Sequence, residues 1–453
     1  MSCWHYYAPN PAENPAGDPC FTVDAASITF GRGALRESGA ALRLLGCRRV
    51  ALITDSAVSR TEWFTAVPES LQRAGVDAAL YTEVRIEPDE ASFQHAAQFF
   101  REGRFDGVIS VGGGSVMDTA KAAALLGQYP GELRRFLGPP LGQGEPVAAP
   151  LIPHIACPTT CGTGSECTGI AVCALPDRRT KAGVAHRLLR PTRALVDPVV
   201  TTTLPAAVVA ASGFDVLCHA LESYTARPHT RRPPPASPEL RPLSQGANPY
   251  SDIGCREALR LCGRYLLRAL AADDTEAREQ LLFAAMLAGI AFGNAGVHAP
   301  HGMAYAVAGG APEVRIAGYP AARPLLPHGV SVILSAPAAF QFTAAACPER
   351  HLEAAGLLGA ELRGATAADA GEILGQHLLR LMAAGQQPQD LAAVGFRAAD
   401  LPQLVAAARL QRRLLDNAPR PIDDQALAGL FGAALHYSPA GQQEAPPPVN
   451  PRA

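Results

Sequence analysis

The sequence has no surplus of positive charge: 39 Lys and Arg face 41 Asp and Glu, for a net charge of -2. That balance gives no electrostatic footprint for nucleic acid or an anionic membrane surface. Small acidic molecules stay open as partners, because they need only a local pair of arginines. A disulfide framework is also missing. The 11 cysteines are an odd number, and Cys157, Cys173 and Cys218 sit inside apolar runs, which reads as free thiols in a reducing compartment. Cys157 and Cys161 are close enough to suggest a metal, but no second pair has zinc-site spacing, so both are expected to be small buried or loop residues. Basic residues are absent from the beginning. The first Lys or Arg is Arg32, so the basic start of a secretory signal and the arginines of a transit peptide are both lacking. The best membrane-span candidate, 281–299, is cut by Gly, Asn and His after about 12 apolar residues, where a span needs about 20. A buried helix is expected there, in a cytoplasmic protein with no nucleic-acid or membrane partner.

What the chain does have is length and apolar content. At 453 residues, with 48% hydrophobic and 18% charged side chains, it can bury a large interior and is expected to form two domains. Residues 1–21 carry four prolines and little periodicity and read as a loose arm; 438–453 reads as a disordered tail. From about 22 to 200, β-rich runs (48–55, 105–111, 151–157, 192–198) alternate with amphipathic helical patterns, which implies a parallel sheet of βαβ units. From 201 to 437 strand patterns give way to Ala/Leu-rich helices, such as 253–271 and 278–292, apolar around most of their circumference. Segment 227–250, rich in Pro and Arg, interrupts this helical half and is long for a connection, as functional lids are.

Two loops suggest a dinucleotide. The run 105–111 leads into Gly112-Gly113-Gly114-Ser115 and then a helix through Asp118. Glycines at such a turn let phosphate approach backbone N–H groups at a positive helix end. The second loop, Pro158 to Glu166, is dense in glycine and hydroxyls and also follows a strand. The two fit a dinucleotide lying across the carboxyl ends of a parallel sheet. Asp55 ends an earlier strand, where it would accept the adenine-ribose hydroxyls and favour NAD over NADP; its alternative is an ordinary turn aspartate.

The helical half offers metal ligands. Asp215 and His219 are four apart in an otherwise apolar helix, so they share a face, and burying both without a partner would be costly. Gly-flanked His298, His301 and His328 follow. An Asp/His₃ set suits Fe(II) or Zn(II). Spacing does not choose between His298 and His301.

Taken together, GGGS-x-x-D-T-x-K, P-T-T-x-G-T-G-S-E, G-F-D-x-L-x-H-A-x-E, G-N-x-G-x-x-x-x-H-G-M and P-H-G resemble the iron-containing alcohol dehydrogenases, in order and separation, over about 22–435. The resemblance implies a Rossmann-like α/β N-terminal domain plus an all-α C-terminal domain, the architecture shared with dehydroquinate synthase. It implies metal ligands Asp215, His219, His301 and His328, leaving His298 outside the metal shell. NAD would be held by Gly112, Gly113, Gly114, Ser115, Asp118, Thr159, Thr160, Thr163 and Ser165, with Lys181 on the cofactor side, and the enzyme would be a homodimer. The run 212–225, the His298/His301 pair, Tyr305 and the insertion resemble one branch in particular. Its members pass hydride from 4-hydroxybutyrate (or 3-hydroxybutyrate) to 2-oxoglutarate through NAD that stays bound. The products are succinate semialdehyde (or acetoacetate) and D-2-hydroxyglutarate.

On this reading the metal is a Lewis acid, and Tyr305 or His298 exchanges the proton. Tyr305 could equally be a packed aromatic. Arg231, Arg232 and above all Arg241 would pair with substrate carboxylates, unless they are solvated arginines on a Pro-rich loop. The competing functions are an alcohol dehydrogenase that releases NADH, a metal-dependent lyase or cyclase of the same architecture, and a non-catalytic binding protein.

Overall fold

The computed structural model describes residues 6–8, 17–320 and 324–437. Its first half is built on eight strands: β1 (Ser27–Phe30), β2 (Arg49–Thr54), β3 (Asp77–Tyr81), β4 (Gly107–Gly112), β5 (His154–Pro158), β6 (Ile170–Leu175), β7 (Thr180–Ala185) and β8 (Arg193–Val196). Six form one sheet in the order β1-β8-β5-β4-β2-β3, every pair parallel, while β6 and β7 form a separate antiparallel pair. The central strands read as continuous apolar runs because helices cover both faces; all six residues of β4 are buried. The runs expected at 48–55, 105–111, 151–157 and 192–198 are β2, β4, β5 and β8.

Strand order positions the site. From β2 the chain steps outward to β3, then returns to the other side of β2 to lay down β4. The winding therefore reverses between β2 and β4, and a crevice opens at their carboxyl ends. Asp55 follows β2, the glycine run follows β4, and the 158–166 loop follows β5. All three reach that crevice. The register Thr54↔Val111 and Gly112↔Pro158 keeps the three strand ends level.

Past Val196 the described residues hold no strand. The elements that matter for the site are α1 (Gly114–Gln128), which follows β4, and, in the helical half, α2 (Ala206–Thr225), α3 (Pro249–Tyr265), α4 (Thr275–Ala295), α5 (Ala299–Gly310) and α6 (His328–Ile333). One hydrophobic core joins the two halves, running from Leu52, Val111 and Ile155 of the sheet to Phe214, Leu221 and Phe340 among the helices. At the seam, Gly164 (φ +58) packs on Gly289: a Cβ on Gly164 would stand 2.6 Å from the Gly289 Cα. Helix α2 is long and apolar enough to cross a bilayer, yet 78% of its most apolar window is buried inside the protein. The 281–299 candidate is bent by 102° between α4 and α5.

Two expectations need correction here. The arm at 1–21 is not loose where it is described. The Tyr6 hydroxyl donates to the Ala226 carbonyl at 2.6 Å, Tyr7 donates to Asp252, and Asp18 takes the guanidinium groups of Arg232 (2.6 Å) and Arg241 (2.9 Å). Single aromatic and acidic anchors leave no periodicity to read, so a docked segment looked irregular. Segment 227–250 is likewise pinned rather than lid-like. Gln245 and Gly246 donate backbone N–H groups to Asn294 and Ala295, both at 2.9 Å, and Ala247 pairs with Arg227. Its end is already α3, capped by Asn248. The helix expected over 253–271 stops at Tyr265 and continues as a 3₁₀ turn, Arg268–Leu270. The tail, 438–453, lies outside the described residues.

Candidate active site

A cleft of about 470 Å³ runs from the sheet's carboxyl edge to the helical half, within the range of small-molecule sites. At one end Asp55, Gly113, Gly114, Ser115, Thr160 and Thr163 line it. The glycines are there because two loops must touch. A Cβ on Gly113 would lie 3.1 Å from Thr160 Cγ2, and one on Gly114 2.9 Å from Thr163 Cγ2. Gly112 does not line the cleft; it makes room for Val116, which a Cβ would meet at 2.3 Å. Thr160 Oγ1 is buried with no partner in the protein, a donor left for a ligand. Asp55 sits at a turn beside the cleft. One carboxylate oxygen caps the turn by accepting from Ala57 and Val58 (2.8 and 2.9 Å), and the residue also lines the cleft.

Of the 39 basic residues only two are lysines, Lys121 and Lys181, and both are buried at this site. Lys121 Nζ donates to the Ser165 carbonyl (2.7 Å), Ser165 Oγ (2.6 Å) and the Ile170 carbonyl (2.8 Å). Ser165 Oγ in turn donates to Asp118 (2.7 Å), which also accepts from the Val172 N–H (3.0 Å). This network ties α1 to the second loop. Burial brings the Lys121 pKa down to about 8. Lys121 closes the GGGS-x-x-D-T-x-K motif, and its signal in the sequence is rarity, in a chain that otherwise uses arginine. Lys181 forms an ion pair with Glu87, and both line the cleft. Thr159, Ser165 and Asp118 line it too.

At the other end α2 presents Asp215 and His219, one turn apart. Asp215 Oδ1 lies 3.7 Å from His219 Nε2, 3.5 Å from His301 Nε2 and 3.9 Å from His328 Nε2. Asp215 Oδ1 and His301 Nε2 are buried and have no hydrogen-bond partner in the protein. Three imidazoles aimed at one orphaned carboxylate oxygen fit a shared divalent cation, and an oxygen/nitrogen donor set without thiolate suits Fe(II) or Zn(II). Burial lowers the pKa values of His219 and His328 to about 4, which keeps their lone pairs available. Burial would raise the Asp215 pKa, but the imidazoles beside it, His219 first, hold the carboxyl well below its usual range.

Glu222, one turn beyond His219 and fully buried, is the functional residue that reasoning from sequence passed over, although it stands in the GFDxLxHAxE motif. Its Oε1 accepts the backbone N–H of His298 (2.9 Å) and of His301 (3.0 Å), and its Oε2 meets His301 Nδ1. Burial works against charge on His301, but Glu222 and, after it, Asp215 outweigh it and lift that pKa to about 9. With Nδ1 committed to Glu222, Nε2 is turned toward Asp215, the usual carboxylate support of a ligating histidine. Glu222→Gln should lower metal affinity roughly 10- to 100-fold, read by competition with a chromophoric chelator, and leave the circular dichroism spectrum unchanged. Equal affinity in the variant would reduce Glu222 to packing.

The structure separates His298 from His301. His298 does not line the cleft; its Nδ1 accepts from the Ala299 N–H (2.7 Å) and its Nε2 lies 3.0 Å from Thr225 Oγ1. It is thereby removed from the proton route. Tyr305 lines the cleft with its ring centroid 6.0 Å from that of His328, and burial raises its pKa, so the hydroxyl stays protonated. Arg241 does not line the cleft either: it is spent on Asp18 and on Thr22 Oγ1 (3.2 Å). Arg232 pairs with Asp18 as well. The substrate role expected of Arg241 falls, because its partner is an acid in a segment read as loose.

Residues 25–198 match the family model for iron-containing alcohol dehydrogenase, and 243–435 match that of the family's C-terminal region. The chain belongs to the iron-containing alcohol dehydrogenase family, and is an oxidoreductase. Within it, the chain is 45% identical over 434 residues to hydroxyacid-oxoacid transhydrogenase, mitochondrial, of Xenopus laevis, covering 95% of this chain and 94% of that one. The Homo sapiens protein of the same name is 44% identical over 437 residues, with 95% and 94% covered. Among solved structures, 1,3-propanediol oxidoreductase superposes with a TM-score of 0.79 at 28% identity, over 92% of this chain and 100% of that one. The names of the two relatives overturn the cytoplasmic expectation. That expectation rested on the lack of Lys and Arg before Arg32 and of a segment apolar enough to span a membrane. Where described, the stretch before Arg32 docks on the helical half through Tyr6, Tyr7 and Asp18.

Proposed function

We propose that the protein is a hydroxyacid–oxoacid transhydrogenase. It passes a hydride from 4-hydroxybutyrate (or 3-hydroxybutyrate) to 2-oxoglutarate and yields succinate semialdehyde (or acetoacetate) and D-2-hydroxyglutarate. The observation that carries the reading is a single cleft joining the glycine-rich loops to the Asp215 cluster, in a chain 45% identical to a transhydrogenase over nearly its whole length. A mitochondrial place of action goes with it, as in the relatives.

Asp215, His219, His301 and His328 would hold an Fe(II) or Zn(II) ion, while Gly113, Gly114, Ser115, Asp118, Thr159, Thr160, Thr163 and Ser165 would seat NAD. When bound, the ion supplies Lewis acidity toward a hydroxyl or carbonyl oxygen, and NAD supplies a two-electron carrier between one acid and the next. The protein's own part is positional. Lys121 locks Asp118 and Ser165 together, so the two cofactor loops form one rigid wall. Glu222 fixes the His301 ring. The cleft would hold the reacting carbons in near-attack geometry. Tyr305, protonated and facing the cleft, is the group placed to hold or pass the substrate's hydroxyl proton.

The test is hydrogen exchange by metal-loaded enzyme with no NAD added. Enzyme given 4-hydroxybutyrate and 2-oxoglutarate should make 2-hydroxyglutarate over many turnovers, seen by mass spectrometry, with no free NADH at 340 nm. Product that appears only when NAD is supplied, or only from simple alcohols, returns the protein to the dehydrogenases that release NADH.

A further inference from the structure

Among the described residues, two cationic side chains other than histidine line the cleft, Lys181 and Arg413. Lys181 is neutralised by Glu87. Arg413, in the short helix Arg412–Leu415, meets no carboxylate among the described residues. The nearby acid, Asp416, is taken by Arg412, and Arg413 itself reaches only Ser244 Oγ, at 3.4 Å. Ser244 also lines the cleft. It belongs to the inserted segment and is seated against Gly296, where a Cβ would come within 2.6 Å of the Ser244 Cβ. The insertion therefore does reach the site, through Ser244 rather than through its own arginines.

Between Arg413 and the Asp215 cluster lies an apolar collar. Phe292, Val297, Tyr305 and Leu414 form one hydrophobic group with Val172 packed on it, and all five line the cleft. Phe292 stacks on His219, ring centroids 4.1 Å apart and 11° from parallel, and Tyr305 leans over His328. Phe292 and Tyr305 touch the ligand cluster and Leu414 adjoins Arg413, so the order along the wall is ligand cluster, apolar surface, then an exposed guanidinium that has a hydroxyl but no carboxylate beside it. That order matches a short acid whose reacting carbon and far carboxylate are separated by methylene groups. We infer that Arg413, steadied by Ser244, binds the substrate carboxylate remote from the reacting carbon, and so selects dicarboxylic oxo acids and ω-hydroxy acids over simple alcohols. The inference rests on the transhydrogenase reading and assigns the selectivity of that site.

A guanidinium paired with a carboxylate contributes a charge-assisted bond whose loss costs roughly 10- to 100-fold in affinity. The test uses NAD- and metal-loaded wild type, Arg413→Met and Arg413→Lys. Calorimetry gives Kd for 2-oxoglutarate, and the exchange assay gives KM and kcat. The expected result is a roughly 10- to 100-fold rise in Kd and KM for Arg413→Met, a much smaller change in kcat, and an intermediate value for Arg413→Lys. Wild-type Kd in Arg413→Met overturns the anchor while the transhydrogenase reading stands. A wild-type enzyme that performs no exchange, yet loses 2-oxoglutarate binding on Arg413→Met, overturns that reading and keeps the anchor. A wild-type enzyme that does not bind 2-oxoglutarate overturns the anchor outright.

Discussion

Asp215→Ala is expected to strip the enzyme of its divalent ion and to lower kcat by roughly 10³-fold or more. One oxygen of Asp215 is the point toward which His219, His301 and His328 converge, at 3.5 to 3.9 Å. Without it the three imidazoles surround a gap with no negative charge, and a cation loses its only anionic ligand. Lewis-acid stabilisation of developing charge amounts to several kcal/mol, and each 1.36 kcal/mol is a factor of ten in rate. Metal content by mass spectrometry of the purified variant, alongside single-turnover rates, checks this. A variant with one ion per chain and wild-type turnover would show that the cluster is not the reaction centre. Chelation of the wild type should reproduce the variant's loss, and added Fe(II) should restore the wild type but not the variant.

The second large effect should come from a residue with no side chain. Gly329 follows His328, and a Cβ there would stand 1.9 Å from the Ala211 carbonyl oxygen and 3.0 Å from the Asp215 Cβ. The start of α6 is thus pressed backbone to backbone against α2, and this contact carries His328 to Asp215. Gly329→Ala must push α6 away from α2. That costs about 3 kcal/mol of overpacking strain and withdraws a ligand in the same movement. Denaturant midpoint and metal affinity should therefore fall together. A variant that loses stability and keeps tight metal binding would mean that His328 is not a ligand.

The features legible in the sequence are those whose cause is local. A parallel strand buried on both faces must be apolar throughout, so β2, β4, β5 and β8 stood out, and the loops that follow them were readable because glycine is needed where two loops meet. Asp215 and His219 were readable because four residues on a helix are one turn. His298 and His301 could not be separated by spacing. The chain turns at Gly296 (φ +82), and His298 adopts a non-helical N-cap conformation, so only the fold decides which ring reaches Asp215. The misassignments have the same origin. Arg241 finds Asp18 across 223 positions, and a partner that distant leaves no trace in local pattern. Arg413 was invisible for the opposite reason: its meaning is the lack of a carboxylate partner among the described residues, on a wall assembled from separate stretches of chain.

The pair of lysines has a practical side. Lys121 and Lys181 are 1% and 4% exposed, so the outer surface of the described fold takes all its side-chain positive charge from arginine and histidine. Guanidinium groups keep their charge at every physiological pH and are not acylated on nitrogen as lysine amines are. Reactive acyl thioesters and anhydrides would find no lysine on the native surface to modify. Lys121 is held inside the network that ties α1 to the second loop, which makes its labelling a built-in gauge of how often that network opens.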